Sequence, residues 1–133
     1  MATAEQLLLA YAETAPQPAK VSVRAAVRAW GLEVLCLDER EHSAALTAVV
    51  VPDGVDADAI RRVILERFDM SLGAGLGKLA GRVFRIGHLG DFNDLMLAGT
   101  LCGVEMGLRL AGVPVPNGVE AALERLALEP VAV

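Results

Sequence analysis

Residues 71–112, SLGAGLGKLAGRVFRIGHLGDFNDLMLAGTLCGVEMGLRLAG, constrain this chain more than any other segment. The first part is rich in glycine and reads as a loop, residues 70–81, whose backbone can approach another group closely. Arg82 to Gly87 follows as a short strand. The apolar stretch from about Phe92 to Leu110 then has the length of a helix rather than a strand. Asp91 or Asn93 is placed to cap that helix, and Asp94 puts negative charge in its first turn, where the helix dipole favours it. Gly112, Pro114 and Pro116 end it.

Upstream, the pattern is regular enough to assign elements. Residues 3–12 have the makings of a short helix, which the TAPQPA segment stops, because Pro16 and Pro18 are poor helix-interior residues. Val23, Ala26, Val27 and Trp30 share a helical face within residues 20–30, with Gly31 as the stop. Residues 32–37 read as a strand, 38–43 (DEREHS) as a solvated connection, and 45–51 as a β-branched strand closed by Pro52-Asp53-Gly54. The two strands suggest an antiparallel pair. Asp56 caps a helix to about Phe68, with Ile60, Val63, Ile64 and Phe68 on one face and Arg61, Arg62, Glu66 and Arg67 exposed on the other. A last helix spans about 118–127. Helices and strands in this order, without alternating parallel units, predict an α+β fold: a small antiparallel sheet with helices on one face.

Composition excludes several classes of function. At 133 residues the chain has the length of one domain, with a core filled by Leu, Val and Ala because only 4% of residues are aromatic. A net charge of −5, with lysine only at positions 20 and 78, argues against a nucleic-acid partner, since phosphate binding needs clustered cations. Cys36 and Cys102 each sit in an apolar run and read as reduced core thiols. With His42 and His88 far apart, no zinc-ligand spacing exists, so no metal is expected. Residues 95–104 are about half the roughly 20 residues a membrane span needs, and the N-terminus lacks the pattern of a secretory leader. A cytoplasmic protein is expected.

Two glycine patterns invite functional readings that fail. Gly73-Ala74-Gly75-Leu76-Gly77-Lys78 is too short for a Walker A loop, and Leu79 stands where Ser or Thr belongs. Lys78 replaces the third glycine of a dinucleotide fingerprint, and the strand–loop–helix context is missing. Gly99, Gly103 and Gly107 recur along one helix face, a spacing that lets the backbone press close to the sheet beneath or meet another protein. The apolarity of 95–104 suggests a helix buried on several sides.

Arg85 is the candidate binding residue. Strand alternation puts Val83 and Arg85 on one side, Phe84 and Ile86 on the other. Arginine among apolar neighbours is costly without a partner. That partner is either an internal carboxylate, such as Glu105 or Asp94, or the carboxylate of a ligand, which the planar guanidinium fork suits best. The residues by themselves leave the two readings level. No other residue here could perform chemistry on such a ligand.

Across about Val21 to Arg125, and most specifically across residues 71–112, the chain resembles the C-terminal small domain of class V pyridoxal-phosphate aminotransferases, in particular the serine–glyoxylate (alanine–glyoxylate) group. The resemblance implies that the R-I-G-x-L-G strand supplies the arginine that holds the amino-acid α-carboxylate, here Arg85. It also implies a large domain carrying the Schiff-base lysine and phosphate cup, amino transfer from serine or alanine to glyoxylate, and a homodimer in the intact enzyme. Residues 71–78, with Gly73, Gly75 and Leu76, would line or close the site. His88 is a candidate for its rim, or else a polar strand-end residue.

Neither Lys20 nor Lys78 aligns with the cofactor lysine, so no catalytic residue is expected in this chain and no pyridoxal phosphate bound by it alone. The expected organisation is a lead-in over 1–20, the small domain over 21–127 and a tail over 128–133. Its partners would be an amino-acid or 2-oxo-acid substrate and a large domain, from the same gene or a separate chain. The rival expectation is a stand-alone module, derived from that domain, which binds a small carboxylate or docks on another protein.

Overall fold

A computed structural model describes residues 1–6, 18–43, 45–88 and 93–128. Its elements are α1 (Pro18–Ala29), β1 (Glu33–Val34), β2 (Leu46–Val50), α2 (Ala57–Phe68), β3 (Gly73–Ala74), β4 (Val83–Gly87), α3 (Asp94–Leu110) and α4 (Val119–Leu128). The strands form one antiparallel sheet in the order β1-β2-β4-β3. The α+β architecture expected from the sequence is the one observed.

Local signals explain most boundaries. Pro18 opens α1, because the first turn has no use for the missing N–H. Gly31 follows with φ of 77°, the left-handed turn that glycine adopts at least cost. Thr3 and Gln6 cap each other reciprocally at 3.1 and 2.9 Å, and residues 4–6 are helical. The rest of the helix expected over 3–12 lies outside the described residues. Asp56 caps α2 by accepting from the Asp58 amide, and Asn93 caps α3 by accepting from the Met96 amide. Asp91, the other candidate cap, also lies outside the described residues.

The core lies between one face of the sheet and the helices. Val49 from β2 and Phe84 and Ile86 from β4 meet Val23, Ala26, Val27 and Trp30 of α1 and Ile60 and Ile64 of α2. All of these are 2% exposed or less, so the face read from the spacing of α1 is the buried one. Helix α1 packs beneath β1 and β2, α2 beneath β3 and β4, and α3 and α4 complete the layer. Among the described residues, no helix packs on the other sheet face.

Three expectations about side chains change. Helix α3 is not buried on several sides: Leu95 is 84% exposed, and Met96, Gly99 and Cys102 also face outward. Cys102 is therefore an exposed thiol rather than a core one, while Cys36 is half-buried. Gly103 and Gly107 press against α2 and the residues after it, not the sheet. A Cβ on Gly103 would meet the Met70 methyl at 2.8 Å, and one on Gly107 would strike Ile64. Arg61 is not a free surface charge, since its Nε donates to the Leu72 carbonyl at 2.9 Å and its Nη1 to Asp58 at 3.0 Å. The glycine loop also contains a strand, β3, that sequence periodicity cannot register at two residues.

No helix among the described residues is long and apolar enough to cross a membrane.

Candidate functional site

Register decides which side of the sheet each candidate occupies. Leu46, Ala48 and Val50 of β2 stand opposite Gly87, Arg85 and Val83 of β4, and Gly73 of β3 stands opposite Arg85. These residues share one face, on which Val83 is buried, Gly73, Ala48, Val50 and Arg85 are half-buried, and Leu46 and Gly87 are exposed. Thr47, Val49, Phe84 and Ile86 make up the covered one, by the alternation of strand side chains. Arg85 therefore projects from the second of two central strands onto the open side, between Ala48 and Gly73.

Its surroundings are specific. Arg85 Nε donates to the Ala74 carbonyl at 2.8 Å, and the side chain is half-buried. Among the described residues neither Nη atom has a hydrogen-bond partner, and none of the ion pairs includes Arg85. A hollow of about 330 Å³ along the same sheet is lined by Gly31, Glu33, Val50, Asp53 and Arg82 and does not include it.

Glu105, one of the two acids that could have neutralised Arg85, is committed elsewhere. Its Oε2 accepts from Trp30 Nε1 at 2.8 Å and from the Gly118 and Val119 amides at 3.0 Å each. Its Oε1 accepts from Arg109 Nη2 at 2.9 Å. Arg109 Nη2 also reaches Asn117 Oδ1 at 2.9 Å. Burial opposes the ionised carboxylate, but the Trp30, Gly118 and Val119 hydrogen bonds and the Arg109 charge outweigh it. Its pKa is held below the ordinary value. Asp94, the other candidate, is exposed in the first turn of α3.

The remaining candidates separate. Gly73 lies directly beneath the Arg85 side chain. Gly75 donates to the Val83 carbonyl at 3.1 Å, and a Cβ there would strike the Leu79 carbonyl, so the loop folds tightly back on β4. Leu76 is 69% exposed at the loop's outer turn. His88 goes to the other side: it is 5% exposed, its Nε2 lies 2.9 Å from Thr47 Oγ1, and its amide donates to Ala45. The structure thus brings Gly73 to Arg85 but places His88 on the covered face, away from the guanidinium.

Sequence reading placed Arg85 among apolar neighbours along its own strand but missed Leu35 and Leu46 across the sheet. Leu35 extends the sheet edge by donating to the Ala48 carbonyl at 2.9 Å, and Leu35 and Leu46 remain 41% and 36% exposed. The signal was available. Apart from Thr47 and Arg85, the strands LTAVV and VFRIG are apolar on both faces, as strands are when both faces are covered.

The donor set does not suit pyridoxal phosphate. Lys78, the lysine whose side chain is described, is exposed in the turn 77–79, and among the described residues its amine has no hydrogen-bond or ion-pair partner. Among the described residues, no group of three or more His, Cys, Asp or Glu could hold a metal ion.

Comparison with known proteins places these features in context. No protein-family profile matches the chain. It is 50% identical over 103 residues to a serine–glyoxylate aminotransferase of Arabidopsis thaliana, covering 76% of this chain and 26% of that protein. It is 44% identical over 104 residues to an L-aspartate–glyoxylate aminotransferase of Paracoccus denitrificans, covering 77% of this chain and 26% of the relative. The crystal structure of a pyridoxamine–pyruvate aminotransferase from Mesorhizobium loti superposes with a TM-score of 0.78 at 31% identity, over 84% of this chain and 29% of that one. The chain therefore spans about a quarter of the length of the relatives it matches.

Proposed function

Because the chain matches the C-terminal region of class V aminotransferases of the serine–glyoxylate group, we propose that it is the small, substrate-carboxylate-binding domain of such an enzyme. The domain occupies residues 21–127, with 1–20 as a lead-in and 128–133 as a tail. The observation that carries the reading is Arg85. An arginine on a central strand has one nitrogen anchored to the Ala74 carbonyl of β3 and, among the described residues, two nitrogens unclaimed on a largely apolar sheet face.

The chemistry this chain contributes is binding and orientation. The guanidinium receives the carboxylate of an amino acid or a 2-oxo acid by paired, charge-assisted hydrogen bonds. Anchoring that end of the substrate fixes which bond at Cα faces the reacting groups, and orientation of this kind is a large part of a two-substrate barrier. Pyridoxal phosphate, which supplies the electron sink for amino transfer when bound, would be held by the large domain that the longer relatives imply. The residues of this chain do not fit it. Alone, the chain binds no cofactor and does not transaminate; with its large domain it works as a cytoplasmic homodimer. The amino donor is serine or alanine and the acceptor glyoxylate, although a relative named for aspartate matches almost as well as one named for serine.

The test is Arg85→Ala in a full-length enzyme carrying this region. Hydrogen bonds to charged groups contribute about 1.5–3 kcal/mol each, so kcat/KM falls on the order of a hundredfold or more. A fall below about threefold removes Arg85 from the clamp. Pyridoxal phosphate added to the isolated chain gives no new visible absorption band; a band that responds to serine overturns the division of labour.

A further inference from the structure

We infer that β3 is the positioning device of the Arg85 clamp, with Gly73 and the Ala74 carbonyl as the positioning groups. This rests on the carboxylate-binding reading. Gly73 stands opposite Arg85 in the register, on the same sheet face. A Cβ on Gly73 would lie 3.0 Å from Arg85 Nε, 3.1 Å from its Cβ and 3.4 Å from its Cζ. The arginine therefore occupies the space that a side chain at position 73 would take. The contact includes the arginine's own Cβ, which cannot swing aside as a flexible tip could, so a Cβ at position 73 makes Arg85 or β3 give by a few tenths of an ångström and disturbs the aim of the guanidinium.

The Ala74 carbonyl then sets the direction. By accepting from Nε at 2.8 Å it takes one of the five N–H donors and fixes the plane of the guanidinium. The edge that pairs Nε with an Nη is thereby closed to ligands. The edge formed by Nη1 and Nη2 is left open, so a carboxylate is received end-on, in a plane chosen before it arrives. A lysine at position 85 could not reproduce this, since a single ammonium has no second edge to aim.

Strand β3 is itself held from both sides. Arg61 of α2 grips the Leu72 carbonyl at 2.9 Å just before it, and the Gly75 amide donates to the Val83 carbonyl at 3.1 Å just after it. The aim of the guanidinium is thus tied to the rigid part of the fold. Gly73 and Gly75 act on the ligand through Arg85 and not by touching it.

The test uses the 133-residue chain, with NMR of the arginine Nε–H signals and glyoxylate as probe. The Arg85 signal is assigned by its loss in Arg85→Lys. In the unmodified chain that Nε–H is protected from solvent exchange, and glyoxylate shifts the Arg85 signals saturably. In Gly73→Ala the protection is lost and glyoxylate binds about tenfold or more weakly, while backbone amides of the core keep their shifts. Arg85→Lys, which keeps the charge and does not crowd β3, weakens glyoxylate to a similar degree and serves if Gly73→Ala fails to fold. Normal glyoxylate binding in both variants overturns the positioning role and leaves the carboxylate reading standing. A protected Nε–H with no saturable glyoxylate shift in the unmodified chain overturns the carboxylate reading, and the inference with it.

Discussion

Glu105 and Arg85 are both ionised groups set among apolar neighbours, and the fold treats them in opposite ways. Glu105 is surrounded: an indole N–H, two helix-start amides and an arginine converge on its two oxygens. Arg85 gives one nitrogen to Ala74 and, among the described residues, turns the other two toward an open sheet face. A charge with all its lone pairs occupied holds elements together, and here it ties α1, α3 and α4. A charge with a deliberately unfilled edge is costly to the isolated fold unless something outside completes it. The same physics distinguishes a structural charge from the one proposed to bind a carboxylate.

Removing each charge should separate the two regions sharply. Glu105→Ala strands the Trp30, Gly118 and Val119 donors, and leaving a buried donor unsatisfied costs about 1–3 kcal/mol. Denaturant unfolding should show that loss, and a cost under about 1 kcal/mol would dissolve the distinction. Arg85→Ala should leave the unfolding midpoint almost unchanged. In the full-length enzyme its hundredfold effect on kcat/KM corresponds to about 2.7 kcal/mol of transition-state stabilisation. Equal damage to stability by the two variants would mean Arg85 is structural after all.

Acid sharpens the comparison further. Glu105 titrates below its ordinary value of 4.5 in the folded chain, so its contribution to stability is fully present above that value. The contribution disappears as pH falls through the depressed folded pKa. Glu105→Gln should flatten this part of the stability–pH profile, while Arg85→Ala leaves it in place. Parallel profiles for Glu105→Gln and the unmodified chain would show the carboxylate is not ionised in its cluster.

Two glycines on α3 give the smaller contrasts. Gly107→Ala puts a methyl into Ile64, and overpacking of this kind costs about 1–3 kcal/mol. Gly99 has nothing within 4 Å of where a Cβ would sit, so Gly99→Ala should stabilise by about 0.5–1 kcal/mol through helix propensity. Thermal melts of the pair in opposite directions would place the close approach at the α2 side of the helix. Melts in the same direction would show that the spacing of the three glycines has no side.

Legibility in the sequence followed the range of the forces. Residues near one another in the chain announced their elements: Asp56 and Asn93 as caps, Gly31 as a stop, and Val23, Ala26, Val27 and Trp30 as a buried face. Caps and amphipathic faces depend on neighbours within a turn or two, so the amino-acid order by itself determined them, and with them the α+β class. It also marked Arg85 as unusual by alternation alone.

Only the tertiary structure decided where the long-range partners lie. Glu105 belongs to Trp30, 75 residues away, and not to Arg85, and that choice required α1 and α3 to be packed side by side. His88 turned to the covered face because β4 continues its alternation beyond its last residue. Gly103 and Gly107 of α3 met α2 and the residue Met70 after it, while Gly99 faces outward, because α3 packs on α2 and not on the sheet at that point. The open edge of Arg85 exists because a strand of two residues, too short to leave a periodic trace, supplies both the empty space and the carbonyl that aim it.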